Sequence, residues 1–190
     1  MNPIFTLQVG EYFVAEELRK RLKNVSVFVP ASPQEKGIDL LLCSFDAKGS
    51  AKPLTVQVKQ SRAYELEDGR YDLFFNAFPV SERADWFILV GVYPAKKNPS
   101  KKDNSHNREW EKIFLAFKNS KMKKFIEGLR QKKDPDKQEK HFGFKFRVSE
   151  KGEVQIFHTR GAVKERKIDK HLLANQIKIL AEDLKVALKR

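Results

Sequence analysis

Hydrophobic and polar residues alternate along the chain in short blocks, each with the period of a helix or of a strand. Apolar residues recur at helical spacing over 10–23, and again from about residue 170 towards the end of the chain. Between these two predicted helices, continuous or alternating apolar runs predict strands. The predicted strands are 25–29, 38–44, 54–59, 84–93, 142–148 and 154–159.

The remaining segments complete the predicted order of elements. The run 71–78 is ambiguous and favours a short helix, and 108–130 is predicted as a longer helix with apolar Trp110, Phe114 and Phe117. The Pro- and Lys-containing segments 94–107 and 131–141 are predicted as loops. Helices alternating with strands in this way predict an α/β fold, with helices packed around a mixed sheet.

Charge divides the chain into two parts. Residues 1–95 hold 11 Lys and Arg against 12 Asp and Glu, and residues 96–190 hold 27 against 13, so the net charges are −1 and +14. We therefore separate a core region, 1–95, from a basic C-terminal region, 96–190, which is expected to pack on the core as one domain. A basic half favours a polyanionic partner, most often nucleic acid, although lysine-rich faces also serve solubility alone.

Composition also limits the cellular setting and the chemistry. The single cysteine, Cys43, excludes an intrachain disulfide framework. The N-terminus lacks the pattern of a signal peptide, and no apolar run approaches the roughly 18 residues that span a bilayer. We expect a cytoplasmic protein without a membrane partner. The four histidines show no metal-ligand spacing, and a Gly-rich phosphate-binding loop is absent from the sequence.

Four polar residues stand out against this apolar background. Asp39 enters the apolar strand 38–44, and Gln57 and Lys59 are neighbours on the polar face of the next strand, about 7 Å apart. Glu11 lies on the apolar stripe of the first helix, where a carboxylate is costly unless it is paired or bound to metal. Carboxylate and amide oxygens suit a hard cation such as Mg²⁺, and a lysine can stabilise developing negative charge. Together they suit phosphodiester hydrolysis.

This succession of a helical Glu, "GID" and then "QVK" resembles the PD-(D/E)XK nuclease superfamily over residues 8–93. The resemblance implies the restriction-endonuclease-like fold, with Glu11, Asp39 and Gln57 holding Mg²⁺ or Mn²⁺ and Lys59 assisting the attacking water. Gln57 departs from the family, since most members carry an acid there, and the change should weaken metal binding. The Q-x-K form is similar to that of Mrr-like restriction enzymes, which implies a role in restriction or defence, and such nucleases often work as dimers.

Several further residues are predicted to contact the phosphates of double-stranded DNA. Ser61 and Arg62 directly follow the Q-x-K residues, and a polar strand end is the competing interpretation. The remaining predicted contacts are lysines of the basic region, each adding affinity and salt dependence but no sequence choice. They are Lys96, Lys97, Lys101, Lys102, Lys123 and Lys124, with Lys121, Lys132 and Lys133 as further candidates.

Three functional hypotheses remain open from the sequence. The first is a metal-dependent DNA endonuclease with Glu11, Asp39, Gln57 and Lys59 at its active site. The second is a catalytically inactive module of the same fold that binds nucleic acid or a partner protein, which the glutamine at position 57 favours. The third is a basic structural protein of a nucleoprotein assembly, in which the acidic residues only cap turns and helix ends.

Overall fold

A computed structural model describes residues 9–30, 37–45, 53–76, 78–94, 110–130, 143–148, 154–158 and 166–188. Within these ranges the fold is mixed α/β, with three α-helices and a nine-stranded mixed sheet. The helices are α1 (Val9–Arg21), α2 (Asn119–Arg130) and α3 (Leu173–Leu188). The strands are β1 (Ser26–Phe28), β2 (Leu40–Cys43), β3 (Leu54–Glu65), β4 (Tyr71–Asn76), β5 (Trp86–Pro94), β6 (Trp110–Lys118), β7 (Gly143–Val148), β8 (Val154–His158) and β9 (Arg166–Lys167).

Strand β3 joins two parts of the sheet. Its first part pairs antiparallel with β2 and parallel with β5, and β1 and β6 complete this main sheet. Its last three residues, 63–65, pair instead with β4, which begins a second sheet of β4, β7, β8 and β9. At 12 residues, β3 is twice as long as the predicted strand 54–59, because its far end is paired by strands of the second sheet.

Two hydrophobic clusters cover the two faces of the main sheet. On one face, α1 and α3 pack against the valines of β3 and the apolar residues of β5. On the other face, phenylalanines of β4 and β7 pack with α2 against β5 and β6. Each cluster contains residues from both predicted regions, 1–95 and 96–190, and α3 is tied to the sheet by Asp183, which accepts hydrogen bonds from Trp86 Nε1 and Lys118 Nζ.

The predicted helix at 71–78 is wrong, because residues 71–76 form strand β4. Tyr71, Leu73 and Phe75 alternate into the core, and β4 pairs on one side with β3 and on the other with β7. Asp72, on the opposite side of the strand, is buried against Arg147, whose Nε donates to Asp72 Oδ1 at 2.7 Å. The partner strand lies about 70 residues away in sequence, so local pattern did not reveal it.

The predicted helix at 108–130 is half wrong. Residues 110–118 form strand β6, and only 119–130 form helix α2. Apolar residues occur on both sides of the segment, and this pattern favours a helix as much as a strand that is covered on both faces. In the structure Ile113, Leu115 and Phe117 face one cluster and Ala116 the other, since the strand is covered on both faces. The hairpin of β7 and β8 and the C-terminal helix α3 are confirmed.

Candidate active site

Asp39 is fixed by two hydrogen bonds at the point where β2 begins. Its backbone N–H donates to the Val56 carbonyl oxygen at 2.8 Å, and its Oδ2 accepts from the Val58 N–H at 2.6 Å. The β2–β3 register pairs Leu40 with Val56, and continuing it by one residue places Asp39 opposite Gln57. The carboxylate therefore lies beside the Q-x-K residues, as the sequence predicted from the pairing of these strands.

Gln57 is the buried polar residue at the centre of this arrangement. It is 7% exposed, and among the described residues nothing donates a hydrogen bond to its Oε1. A buried acceptor without a partner costs roughly 1–3 kcal/mol, so such atoms usually mark a missing water, ion or ligand. Gln57 lies opposite Asp39 in the β2–β3 register, and an amide oxygen and a carboxylate are suitable ligands for a hard cation.

Glu11 joins the group from the first turn of α1. The helix start approaches the sheet closely at Gly10, where an added Cβ would lie 2.7 Å from Gln60 Oε1 and 3.2 Å from Val90 Cγ1. Burial and, to a smaller extent, the Asp39 charge raise the pKa of the Glu11 carboxyl to about 7, with Lys59 opposing both. Burial also raises the pKa of Asp39, against the Val58 N–H and Lys59. The two acids and the lysine therefore share one electrostatic site.

Lys59 lies two residues beyond Gln57, on the same face of β3. Its side chain is half-buried, and its Nζ is 5.6 Å from the ring centroid of Phe78. Phe78 lies in the connection between β4 and β5, of which the structure describes residues 78–85. An ammonium group in this place can stabilise negative charge on a substrate oxygen.

The end of the β4–β5 connection that leads into β5 is held by hydrogen bonds at residues 81, 83 and 84. Thr55 Oγ1 donates to the Arg83 carbonyl oxygen at 2.6 Å, and Asn119 Nδ2 lies 2.7 Å from the Ser81 carbonyl oxygen and 2.6 Å from that of Ala84. Sequence reasoning missed Phe78 and Ser81 as neighbours of the site. Neither had a local signal, since they reach it only after β4 and β5 have paired with their own partners.

Glycine is required at position 37, the first residue of "GID", by the backbone conformation and by the neighbouring Ser81 side chain. Its φ is +89°, and an added Cβ would lie 2.3 Å from Ser81 Oγ and 2.8 Å from Ser81 Cβ. Gly37→Ala is expected to lower the free energy of unfolding by roughly 1–2 kcal/mol or more from the backbone conformation alone. Chemical denaturation measures the change.

Gly128→Ala is the matched control for this substitution. Gly128 lies in α2, and nothing is within 4 Å of an added Cβ there. Because alanine favours a helix over glycine by up to about 1 kcal/mol, this variant should be more stable than the wild type. Equal stability changes in the two variants would contradict the role given to Gly37.

The pKa of Glu11 predicts how stability depends on pH in metal-free protein. Because its folded-state pKa is about 7, well above the 4.5 of an ordinary glutamate, the folded state binds the proton more tightly. Its contribution to stability is therefore present at low pH and is lost as the pH rises towards 7 and above. In EDTA, the wild type should lose stability relative to Glu11→Gln between pH 5 and pH 8, as measured by thermal unfolding. Parallel curves of stability against pH for the two proteins would contradict the raised pKa of Glu11.

The structure places the predicted phosphate contacts unequally. Ser61 is 5% exposed, and its hydroxyl donates to the Phe74 carbonyl oxygen at 2.6 Å, which joins β3 to β4. Lys123 Nζ is ion-paired with Glu82, 2.7 Å from its Oε2, and Lys124 is exposed on α2. Arg62 belongs to β3 and pairs with Val92 of β5. The predicted contacts Lys96, Lys97, Lys101, Lys102, Lys132 and Lys133 lie outside the described residues.

Histidine, cysteine, aspartate and glutamate side chains do not suffice by themselves for a metal centre in the described part of the chain, where no three of them cluster. A cation would instead use the two acids, Glu11 and Asp39, together with the amide oxygen of Gln57. The observation that fits a cation here is that this oxygen has no hydrogen-bond partner within the described part of the chain.

Comparison with known proteins gives no match: no protein-family model and no curated protein matches the sequence, and no solved structure matches the fold. Across the described residues, none of the helices has both the length and the apolar character needed to cross a membrane.

Proposed function

We propose that this protein is a divalent-metal-dependent endonuclease that hydrolyses phosphodiester bonds of double-stranded DNA, with a restriction-endonuclease-like fold. One observation carries the proposal: among the described residues, nothing donates a hydrogen bond to the buried Oε1 of Gln57, the residue opposite Asp39 in a site whose charge also involves Glu11 and Lys59. The resemblance of "GID" and "QVK" to Mrr-like restriction enzymes supports the same activity and a role in restriction or defence. A cytoplasmic location remains part of the proposal.

Each residue of the site has a defined task in this mechanism. Asp39, Glu11 and Gln57 Oε1 would hold Mg²⁺ or Mn²⁺. When bound, the cation supplies Lewis-acid activation of a water and of the scissile phosphate. Because Glu11 has a pKa of about 7, it must release its proton to act as a ligand near neutral pH. Lys59 donates to a phosphate oxygen and stabilises the charge that develops during attack.

Helix α2 is suited to guide the DNA towards this site. Its first residue, Asn119, binds the carbonyl oxygens of Ser81 and Ala84, and Ser81 lies against Gly37. Lys121 and Lys124 are exposed on the same helix. A duplex whose scissile phosphate sits at Lys59 would thus have basic side chains beside it. With one site per chain, cutting both strands calls for two copies, so we include a homodimer in the proposal.

Plasmid cleavage tests the proposed activity. Supercoiled plasmid should be nicked by the wild type in Mg²⁺ or Mn²⁺ and left intact in EDTA, and Lys59→Ala should fold normally, bind DNA and nick at least about 100-fold more slowly, by analogy with other lost charge-stabilising donors. A wild type that binds DNA but leaves plasmid intact with either metal would contradict the enzyme proposal.

A binding module of the same fold is the second candidate, and one contact favours it. The Asp39 carboxylate accepts the Val58 N–H, a structural task that needs no metal, and Gln57 brings no charge to the site. Under this alternative, DNA or a partner protein would bind and Asp39 would matter for stability alone.

DNA affinity should depend on α2 under either candidate. Lys124→Ala is expected to reduce the slope of log affinity against log salt concentration by about 1, the effect of one lost phosphate contact. Lys185→Ala is the matched control, since Lys185 is equally classed as exposed but lies on α3, on the opposite face of the main sheet. Fluorescence anisotropy with a labelled duplex at several salt concentrations measures both. Identical slopes for the two variants would remove α2 from the interface.

A further inference from the structure

The ammonium group of Lys59 lies over an aromatic ring. Its Nζ is 5.6 Å from the centroid of Phe78, within the roughly 6 Å over which a cation is attracted to a ring face. Lys59 is half-buried, so part of its hydration is already lost. A long lysine side chain otherwise samples many rotamers, and an attraction of this kind restricts where its ammonium group resides.

The ring of Phe78 is itself held in a fixed orientation. It is 9% exposed and stacks on Phe87, with centroids 6.1 Å apart and planes at 18°, and it meets Phe144 at 60°. Phe87 is the β5 residue paired with Gln57, so the ring rests directly beside the Q-x-K strand. The β4–β5 connection, which contains Phe78, is held by Asn119 at the carbonyl oxygens of Ser81 and Ala84.

We propose that Phe78 is a positioning residue that holds the Lys59 ammonium at the place where a phosphate oxygen must be met. The proposal rests on the proposed nuclease function and adds a residue that carries no charge and no ligand atom. Because the ring acts through Lys59, losing it should slow the chemical step and leave substrate binding unchanged.

A purely structural role for Phe78 makes a different prediction. Phe78 belongs to the cluster between the two sheets, so replacing it also removes packing. Phe75 is the matched control. It is 4% exposed in the same cluster, and its ring centroid lies 5.5 Å from those of Phe144 and Phe146. Among the described side chains, no cation lies over its ring. Both leucine variants lose similar packing, and only Phe78→Leu removes the contact with Lys59.

The kinetic experiment compares Phe78→Leu, Phe75→Leu and Phe78→Tyr in Mg²⁺-dependent plasmid nicking. Phe78→Leu should lower kcat about 2- to 30-fold with KM unchanged, the range that corresponds to one cation–π contact. Phe78→Tyr, which keeps the ring face, should restore the rate. In the background of Lys59→Ala, Phe78→Leu should cause no further loss, since the partner of the ring is already gone.

A readout that is independent of activity tests the contact itself. Protons of the Lys59 ε-methylene near an aromatic face resonate upfield of other lysines, and the Lys59 signal is identified by its absence from Lys59→Ala. In proteins with labelled lysine, the upfield shift should be present in the wild type and in Phe75→Leu and absent from Phe78→Leu.

The outcomes separate this proposal from the proposed function. If the wild type leaves plasmid intact, the nuclease proposal fails, and the NMR shift still supports or overturns the contact between Phe78 and Lys59. If the wild type cleaves but Phe75→Leu and Phe78→Leu lose equal rate, or the Lys59 signal lacks the shift, Phe78 is a packing residue and the positioning role is overturned.

Discussion

Asp39→Asn is expected to lower Mg²⁺-dependent plasmid cleavage by at least about 100-fold and to leave the protein folded. Replacing a residue that only supports a metal ligand typically lowers metal affinity or activity about 10- to 100-fold, and Asp39 is proposed as a ligand itself. The asparagine oxygen can still accept the Val58 N–H, now made at 2.6 Å to the carboxylate, so the start of β2 stays in place. The initial rate of plasmid nicking, with thermal unfolding of the same preparations, measures both effects.

Asp169→Asn provides the matched control for Asp39→Asn. Asp169 Oδ1 accepts the backbone N–H of Val154 at 3.0 Å, in a partly buried setting like that of Asp39. It lies in the short 3-10 helix Asp169–His171 before α3, outside the proposed site. Asp169→Asn should change the free energy of unfolding by about as much as Asp39→Asn does and leave the rate of plasmid cleavage unchanged. If Asp39→Asn cleaved at the wild-type rate, Asp39 would have a structural role only.

Gln57→Glu is expected to destabilise the metal-free protein and to increase the stabilisation that Mg²⁺ provides. At pH 8 in EDTA, a third carboxylate would be buried beside Asp39 and Glu11, so the free energy of unfolding should fall by several kcal/mol, as for other uncompensated buried charges. With Mg²⁺ present, the added charge should raise metal affinity about 10- to 100-fold, since a charge next to a cation is worth several kcal/mol in partly buried sites. Thermal unfolding with and without Mg²⁺ and calorimetric titration measure these changes.

Gln60→Glu tests whether position rather than charge is responsible. Gln60 is on the same strand but is exposed, on the side of β3 that faces the start of α1. Its substitution should change stability in EDTA by only a few tenths of a kcal/mol and leave the response to Mg²⁺ like that of the wild type. Equal effects at positions 57 and 60 would show that Gln57 does not face a cation site.

The candidate site was predictable from the sequence to the extent that it depends on neighbouring strands. Asp39 and Gln57 belong to consecutive antiparallel strands, so alternation and a short turn were enough to place them side by side. Glu11 could be assigned to the sheet-facing stripe of α1 by helical periodicity alone. Its raised pKa required the structure, because the pKa depends on the burial of the carboxyl and on the approach of Asp39 and Lys59.

The errors have one physical origin, which is strand pairing that the local pattern does not reveal. The segment 71–76 became a strand because β7, about 70 residues later, supplies its hydrogen bonds, and 110–118 became a strand because β5 pairs along its length. In both segments tertiary pairing overrode an ambiguous local pattern. The same long-range order brings the β4–β5 connection against the site, which is why Phe78 and Ser81 had no signal in the sequence.

The mixed α/β class, the hairpin of β7 and β8 and the terminal helices could be predicted from the amino-acid sequence, as could the neighbouring positions of Asp39 and Gln57. Those features follow from local periodicity and from contacts between adjacent elements, which a single chain segment encodes. Three features required the folded structure: β3 continues into a second sheet, Gln57 Oε1 is buried with no hydrogen-bond partner among the described residues, and Phe78 lies under Lys59. Burial and contacts between distant side chains depend on how the faces of helices and sheet pack together, and local sequence patterns do not predict that packing.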